Sequence, residues 1–203
     1  MHDVADQDAA KGTQFARILW LALVANFAMF VIEGTAGVLA NSSSLQADAI
    51  DFLADGLTYA LTLYVAARSL LWRAWAGLAK GLLMAGFGFG VLAIAGYRVF
   101  HPAIPEATTM GVVSTIALVV NVWVALMLYR YRHGDSNIRS VWLCTRNDAI
   151  HNIAVLVAAV LVAATATRWP DLAVGFGIAA LEISAAWQVI RQASGELRSR
   201  KAA

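Results

Sequence analysis

Charge is scarce in this sequence. Charged residues make up 14% of its 203 residues, against about 25% in ordinary soluble chains, and the mean hydropathy is +0.66. So few charges cannot cover a water-facing surface, which excludes a soluble globular domain. Cysteine occurs once, excluding a disulfide framework and any zinc site built from several thiolates. The net charge of +2 is too small for a nucleic-acid binder. There is no H-E-x-x-H or G-x-S-x-G motif, and His2, His101, His133 and His151 are scattered, which argues against an intramembrane enzyme. The opening residues MHDVADQDAAKG carry three acids and lack the basic start of a signal peptide, so residues 1–13 read as a short solvated tail.

What the chain does have is long apolar runs, at about 14–39, 45–71, 75–98, 109–130, 140–165 and 171–192. Between them stand loop-forming stretches such as Asn41-Ser42-Ser43-Ser44, His101-Pro102-Ala103-Ile104-Pro105 and Arg168-Trp169-Pro170. A spanning helix needs about 20 apolar residues, and a backbone without water must satisfy itself within helices. The expected fold is therefore all-α: a transmembrane bundle of six helices over 14–193, followed by a short tail over 194–203. With both termini in the cytoplasm, nearly all basic residues fall inside, leaving Arg98 and Arg168 outside. Trp20, Trp72, Trp75, Trp142 and Trp169 near span ends read as interfacial anchors. Gly86-x-x-x-Gly90 has the small-residue spacing of a close helix contact.

Ionised side chains at the bilayer centre cost at least about 2.5 kcal/mol each, so the acids inside these runs need a reason. Asp48, Asp51 and Asp55 share one stripe of the second helix, and Cys144, Asp148 and His151, at i, i+4 and i+7, share one face of the fifth. Clustered carboxylates in low dielectric repel one another unless cations, protons or metal, sit among them. The second and fifth helices run antiparallel in a six-span bundle, which brings Asp51 level with Asp148 and Asp55 level with Cys144. Four such oxygen and sulfur donors suit a tetrahedral divalent ion such as zinc. Polar contacts alone, about 0.6 kcal/mol each in membranes, cannot offset the burial of several carboxylates. Asn26, Glu33, Asn121 and Glu182 read as interhelical hydrogen bonders, and Asp48 as a helix-end or gate residue.

At these segments the chain resembles the cation diffusion facilitator family of divalent metal/proton antiporters. The stretch Ser44-Leu45-Gln46-Ala47-Asp48-Ala49-Ile50-Asp51-Phe52-Leu53-Ala54-Asp55 is similar to that family's second helix, Asn26, Glu33 and Gly37 recur at family-like positions, and Trp169-Pro170-Asp171 is similar to its sixth-helix start. The resemblance implies a multi-pass protein of the bacterial inner membrane, with a homodimer as its assembly. It implies no enzyme activity and no tightly bound cofactor. The implied function is zinc efflux, with cadmium or cobalt as similar substrates, in exchange for protons. Its implied metal ligands are Asp51, Asp55 and Asp148, with Cys144 standing where the family usually has histidine. That substitution leaves His151 open as a replacement ligand, and an all-oxygen site for manganese or iron open as well. A further departure is the absence of the cytoplasmic domain that most members carry, which keeps a non-transporting metal-binding subunit as an alternative.

Overall fold

The computed structural model describes residues 2–65, 68, 70–129 and 136–201, with side-chain surroundings for 13–65, 68, 72, 75–129, 145 and 148–198. Its elements are α1 (His2–Leu39), α2 (Ser43–Val65), α3 (Leu70–Phe100), α4 (Ala107–Tyr129), α5 (Ser136–Thr165) and α6 (Trp169–Lys201). All six expected helices are present, and no strand occurs among the described residues. Helices α1 and α6 run beyond the apolar stretches at the two ends of the chain. The second apolar run, read as continuous to residue 71, divides instead into the end of α2 at Val65 and the start of α3 at Leu70.

The helix ends follow local chemistry. Helix α1 closes with Asn41 at φ 55°. The Asn41 N–H donates to Val38 O (3.3 Å) and the Ser42 N–H to Gly37 O (2.9 Å), the pair of bonds that satisfies a helix C-terminus when one residue turns left-handed. Asparagine tolerates that conformation well. Helix α5 ends at Ala166 with φ 52°, where the methyl group makes the same conformation costly. Helix α4 is capped by Glu106, whose carboxylate accepts the Thr108 and Thr109 N–H groups at 3.0 and 2.6 Å. The Thr109 hydroxyl and amide, with those of Thr108, hold the Glu106 carboxyl down at about 2.

An apolar core is interrupted by buried polar groups, and large apolar side chains cover the outside. The interior holds Asn26, Glu33, Asp48, Asp51, Asn121, Asn152 and Asp171, whereas Val24, Val31, Phe89, Val119, Leu126, Val160 and Leu181 are exposed. Such an arrangement suits lipid outside and buried polar groups within. Among the described residues, Thr13–Leu39, Trp75–Phe100, Ala107–Tyr129, Asp148–Thr165 and Trp169–Arg198 are long and apolar enough to cross a bilayer. Helix α2, at 23 residues, carries three aspartates and is enclosed by α1, α3, α5 and α6. The protein is an integral multi-pass membrane protein. Trp20, Trp72, Trp75 and Trp169 are exposed, as interfacial anchors require; the Trp142 side chain lies outside the described residues.

The helices associate chiefly as pairs, α1 with α2, α4 with α5 and α3 with α6. The close α3–α6 contact falls at Gly81 and Gly88: a Cβ there would meet Ile190 Cγ1 and Ile183 Cγ1 at 2.7 Å. Gly86 and Gly90, singled out by their spacing, have nothing within 4 Å of a Cβ position. A spacing of four residues marks one helix face but does not reveal which way that face is turned.

Candidate functional site

The position of α2 is fixed at its start. Ser42 is its N-cap, with Oγ accepting the Leu45 N–H at 3.1 Å. The two preceding N–H groups, of Ser43 and Ser44, donate to Asp171 Oδ2 and Oδ1 at 2.7 and 3.0 Å. The Ser42 and Ser44 hydroxyls also donate to Asp171 Oδ1, both at 2.6 Å. A carboxylate from the first turn of α6 thus satisfies the free donors and the positive end of the α2 dipole. Gly175, one turn further along α6, permits this approach, since a Cβ there would lie 3.3 Å from the Ser43 backbone.

From that anchor α2 runs antiparallel to α5, as three contacts along their length establish. Asn152 Nδ2 donates to Asp48 Oδ2, His151 Nδ1 lies 2.8 Å from Asp51 Oδ2, and the Tyr59 and Thr145 hydroxyls are 2.7 Å apart. As the number rises on one helix it falls on the other. With Asp51 ionised, the imidazole Nδ1–H donates to it and Nε2 is left with its lone pair. Donor atoms of Asp51, Asp148 and His151 all lie within 4.8 Å of one another. Asp51 is 5% exposed, and its Oδ1 has no hydrogen-bond partner. Glu182 of α6 lies within hydrogen-bonding reach of Asp51, and its own Oε2 has no partner.

An open cavity of about 430 Å³ adjoins this group, lined by Asp55, Asp148, His151 and Glu182 together with Lys80 and Gln188. It lies in the half of the bundle nearer the α2–α3 and α4–α5 connections. Two carboxylates and an imidazole, with the unpartnered Glu182 Oε2 beside them, form a donor set of mixed hardness, the kind that takes a borderline divalent cation.

Of the residues singled out from the sequence, Asp51 and Asp148 come together. Asp55 is outside the 4.8 Å group; it lines the cavity and accepts the Tyr59 hydroxyl at 2.8 Å. The Cys144 side chain lies outside the described residues. His151, weighed in the sequence only as a substitute, stands in the group. Asp48, in the second turn of α2, is 1% exposed within the bundle. The role of Asp171 was missed, and its single legible signal was an acid beside Pro170 at a helix start.

A profile of the cation efflux transmembrane domain matches residues 72–197, more than half of the chain. The chain belongs to the cation efflux family. It is 25% identical over 189 residues to the metal cation efflux system protein CzcD of Cupriavidus metallidurans, covering 86% of this chain and 59% of that protein. It is likewise 25% identical over 193 residues to a cadmium, cobalt and zinc/H(+)-K(+) antiporter of Bacillus velezensis, covering 86% of this chain and 60% of that protein. The chain thus spans about three-fifths of the length of these relatives.

Proposed function

We propose that the protein exports a divalent metal cation, zinc first among the candidates, in exchange for protons. The site lies between α2 and α5, and both termini lie in the cytoplasm. The observation that carries the reading is the convergence of Asp51, Asp148 and His151 donor atoms within 4.8 Å. Support also comes from family membership and from relatives named for metal efflux and for cadmium, cobalt and zinc antiport.

In this reading Asp51, Asp148 and His151 are ligands, and Asp55, on the wall of the same cavity, closes the fourth position. Cys144, four residues before Asp148 in sequence, is the alternative soft donor. An imidazole nitrogen among carboxylates favours zinc, cadmium or cobalt over magnesium. The exchange follows from charge. Ligands must be deprotonated to coordinate, so a cation arriving through the cavity displaces protons. Protons entering from the other side neutralise the carboxylates and release the metal. Coupling is competition for the same lone pairs.

The test is zinc-driven proton flux in proteoliposomes with an imposed pH gradient. Asp51→Ala and Asp148→Ala are expected to abolish it. Undiminished flux in both variants refutes the site, and zinc binding without any flux in the wild type makes the chain a metal-binding subunit. Loss of zinc affinity in Asp55→Ala but not Cys144→Ala assigns the fourth ligand to Asp55; the opposite pattern assigns it to Cys144.

A further inference from the structure

Nearer the Ser42 end of α2 lies a second pair of acids that metal ligation does not use. Glu33 of α1 and Asp48 of α2 are 0% and 1% exposed, and their carboxyl groups lie within hydrogen-bonding reach of each other. Neither Glu33 oxygen has a hydrogen-bond partner, nor has Asp48 Oδ1. The remaining oxygen, Asp48 Oδ2, accepts the Asn152 Nδ2–H, and Asn152 Oδ1 is in turn held by Asn121 Nδ2 at 2.9 Å. The neighbouring amides therefore offer one donor to four carboxylate oxygens. Two adjacent carboxylates in a dry interior cannot both stay ionised, and a buried acceptor without a donor is costly.

We infer that Glu33 and Asp48 form a second cation site, occupied by a proton shared between them, which is given up when a divalent metal fills the Asp51 group. The inference rests on the metal site proposed above. Ligand number selects the proton. Zinc takes four ligands and hard metal cations six or more, whereas this pair presents three open oxygens from two residues. A single O–H joining the carboxyl groups engages one open oxygen of each.

The titratable groups that face the pair are Asp51 of α2 and His151 of α5. Glu182 of α6 faces Asp51, and α4 contributes the neutral Asn121. A divalent cation beside Asp51 and His151 adds positive charge that favours the ionised pair. Asn152, next to His151 in sequence and bonded to Asp48, ties the two sites to one turn of α5. The proton leaves Glu33 or Asp48 as the metal arrives and returns as the metal departs.

The test counts protons released per zinc bound by the purified full chain, using a pH indicator, in the wild type, Glu33→Gln and Asp48→Asn. Each amide supplies a donor that does not titrate, so both variants are expected to bind zinc and to release one proton fewer per metal than the wild type. Equal release in all three overturns the inference. So does proton release on adding sodium or potassium chloride without zinc, which makes the site an alkali-metal site. If the wild type binds no zinc, the metal-site reading fails instead, and the pair is judged by infrared spectroscopy of the metal-free protein. A buried carboxylic acid C=O band that disappears in Glu33→Gln, or in Asp48→Asn should the first variant not fold, supports the shared proton. Absence of that band in the wild type overturns it.

Discussion

The two ends of one short stretch of α2 treat carboxylates in opposite ways. At its start, Asp171 is 1% exposed and receives four hydrogen bonds from Ser42, Ser43 and Ser44. Further along, Glu33, Asp48 and Asp51 are equally secluded, yet each keeps at least one oxygen without a partner. A buried carboxylate with a full set of donors is a structural clamp that holds its charge without a metal ion or a shared proton. Buried carboxylates with too few donors hold their charge only with the help of a cation that can come and go. Burial is the same at both ends, and donor supply is what differs.

The largest effects are expected at Asp51 and Asp148. Asp51→Ala and Asp148→Ala are each expected to weaken zinc binding about 100-fold or more, beyond the 10-fold to 100-fold loss usual for supporting residues. Their melting temperatures are expected to stay near that of the wild type, because removing one acid relieves repulsion. Titration calorimetry and thermal scans check both parts. A large stability loss with zinc affinity intact makes these acids structural.

Asp171→Ala tests the other end. It leaves the Ser43 and Ser44 N–H groups unpaired, and at about 1–3 kcal/mol for each buried orphan the loss is expected to reach about 2–6 kcal/mol, read from urea unfolding in detergent. Asp171→Asn keeps an acceptor oxygen and is expected to fall between the wild type and the alanine variant. No difference between alanine and asparagine removes hydrogen bonding as the reason for this acid.

The α3–α6 contact sharpens the contrast between a packed and an open face of one helix. Gly81→Ala drives a methyl group into Ile190, including its backbone N at 3.1 Å, and is expected to cost about 1–3 kcal/mol. Gly86→Ala meets open space and is expected to gain about 0.5–1 kcal/mol from helix propensity. A similar change in the same direction at both positions contradicts the packing described. Ala166→Gly relieves a left-handed alanine at the end of α5 and is expected to stabilise by about 1 kcal/mol.

The smallest effect is at Glu106. Its carboxyl is held at about 2, below the ordinary 4.5, so the folded form binds its proton less readily than the unfolded chain. The stabilisation is complete above the ordinary value and is lost as pH falls through it toward about 2. Glu106→Gln is expected to lower the melting temperature slightly at pH 7 and to converge on the wild type near pH 2. A constant difference across that range excludes the charge as its cause.

Much of this fold is legible in the sequence because bilayer thickness sets run length and loop residues interrupt the runs. The antiparallel direction of α2 and α5 is legible too, since the fifth helix comes three crossings of the bilayer after the second in a six-span bundle. The Asp171 clamp is not, because its partners lie 127 to 129 positions away and nothing local marks them. The rotation of each helix is equally hidden. Rotation brings His151 to Asp51, turns Asp48 toward Glu33, and puts Gly81 and Gly88 rather than Gly86 and Gly90 against α6. Spacing within a helix defines a face, and only the neighbouring helices decide where it points.

X-ray absorption at the zinc edge of the zinc-loaded chain tests the central claim most directly. The expected spectrum shows a shell of oxygen and nitrogen ligands at about 2.0–2.2 Å, with imidazole scattering that disappears in His151→Ala and zinc lost in Asp51→Ala. Zinc bound with an unchanged spectrum in both variants would contradict it.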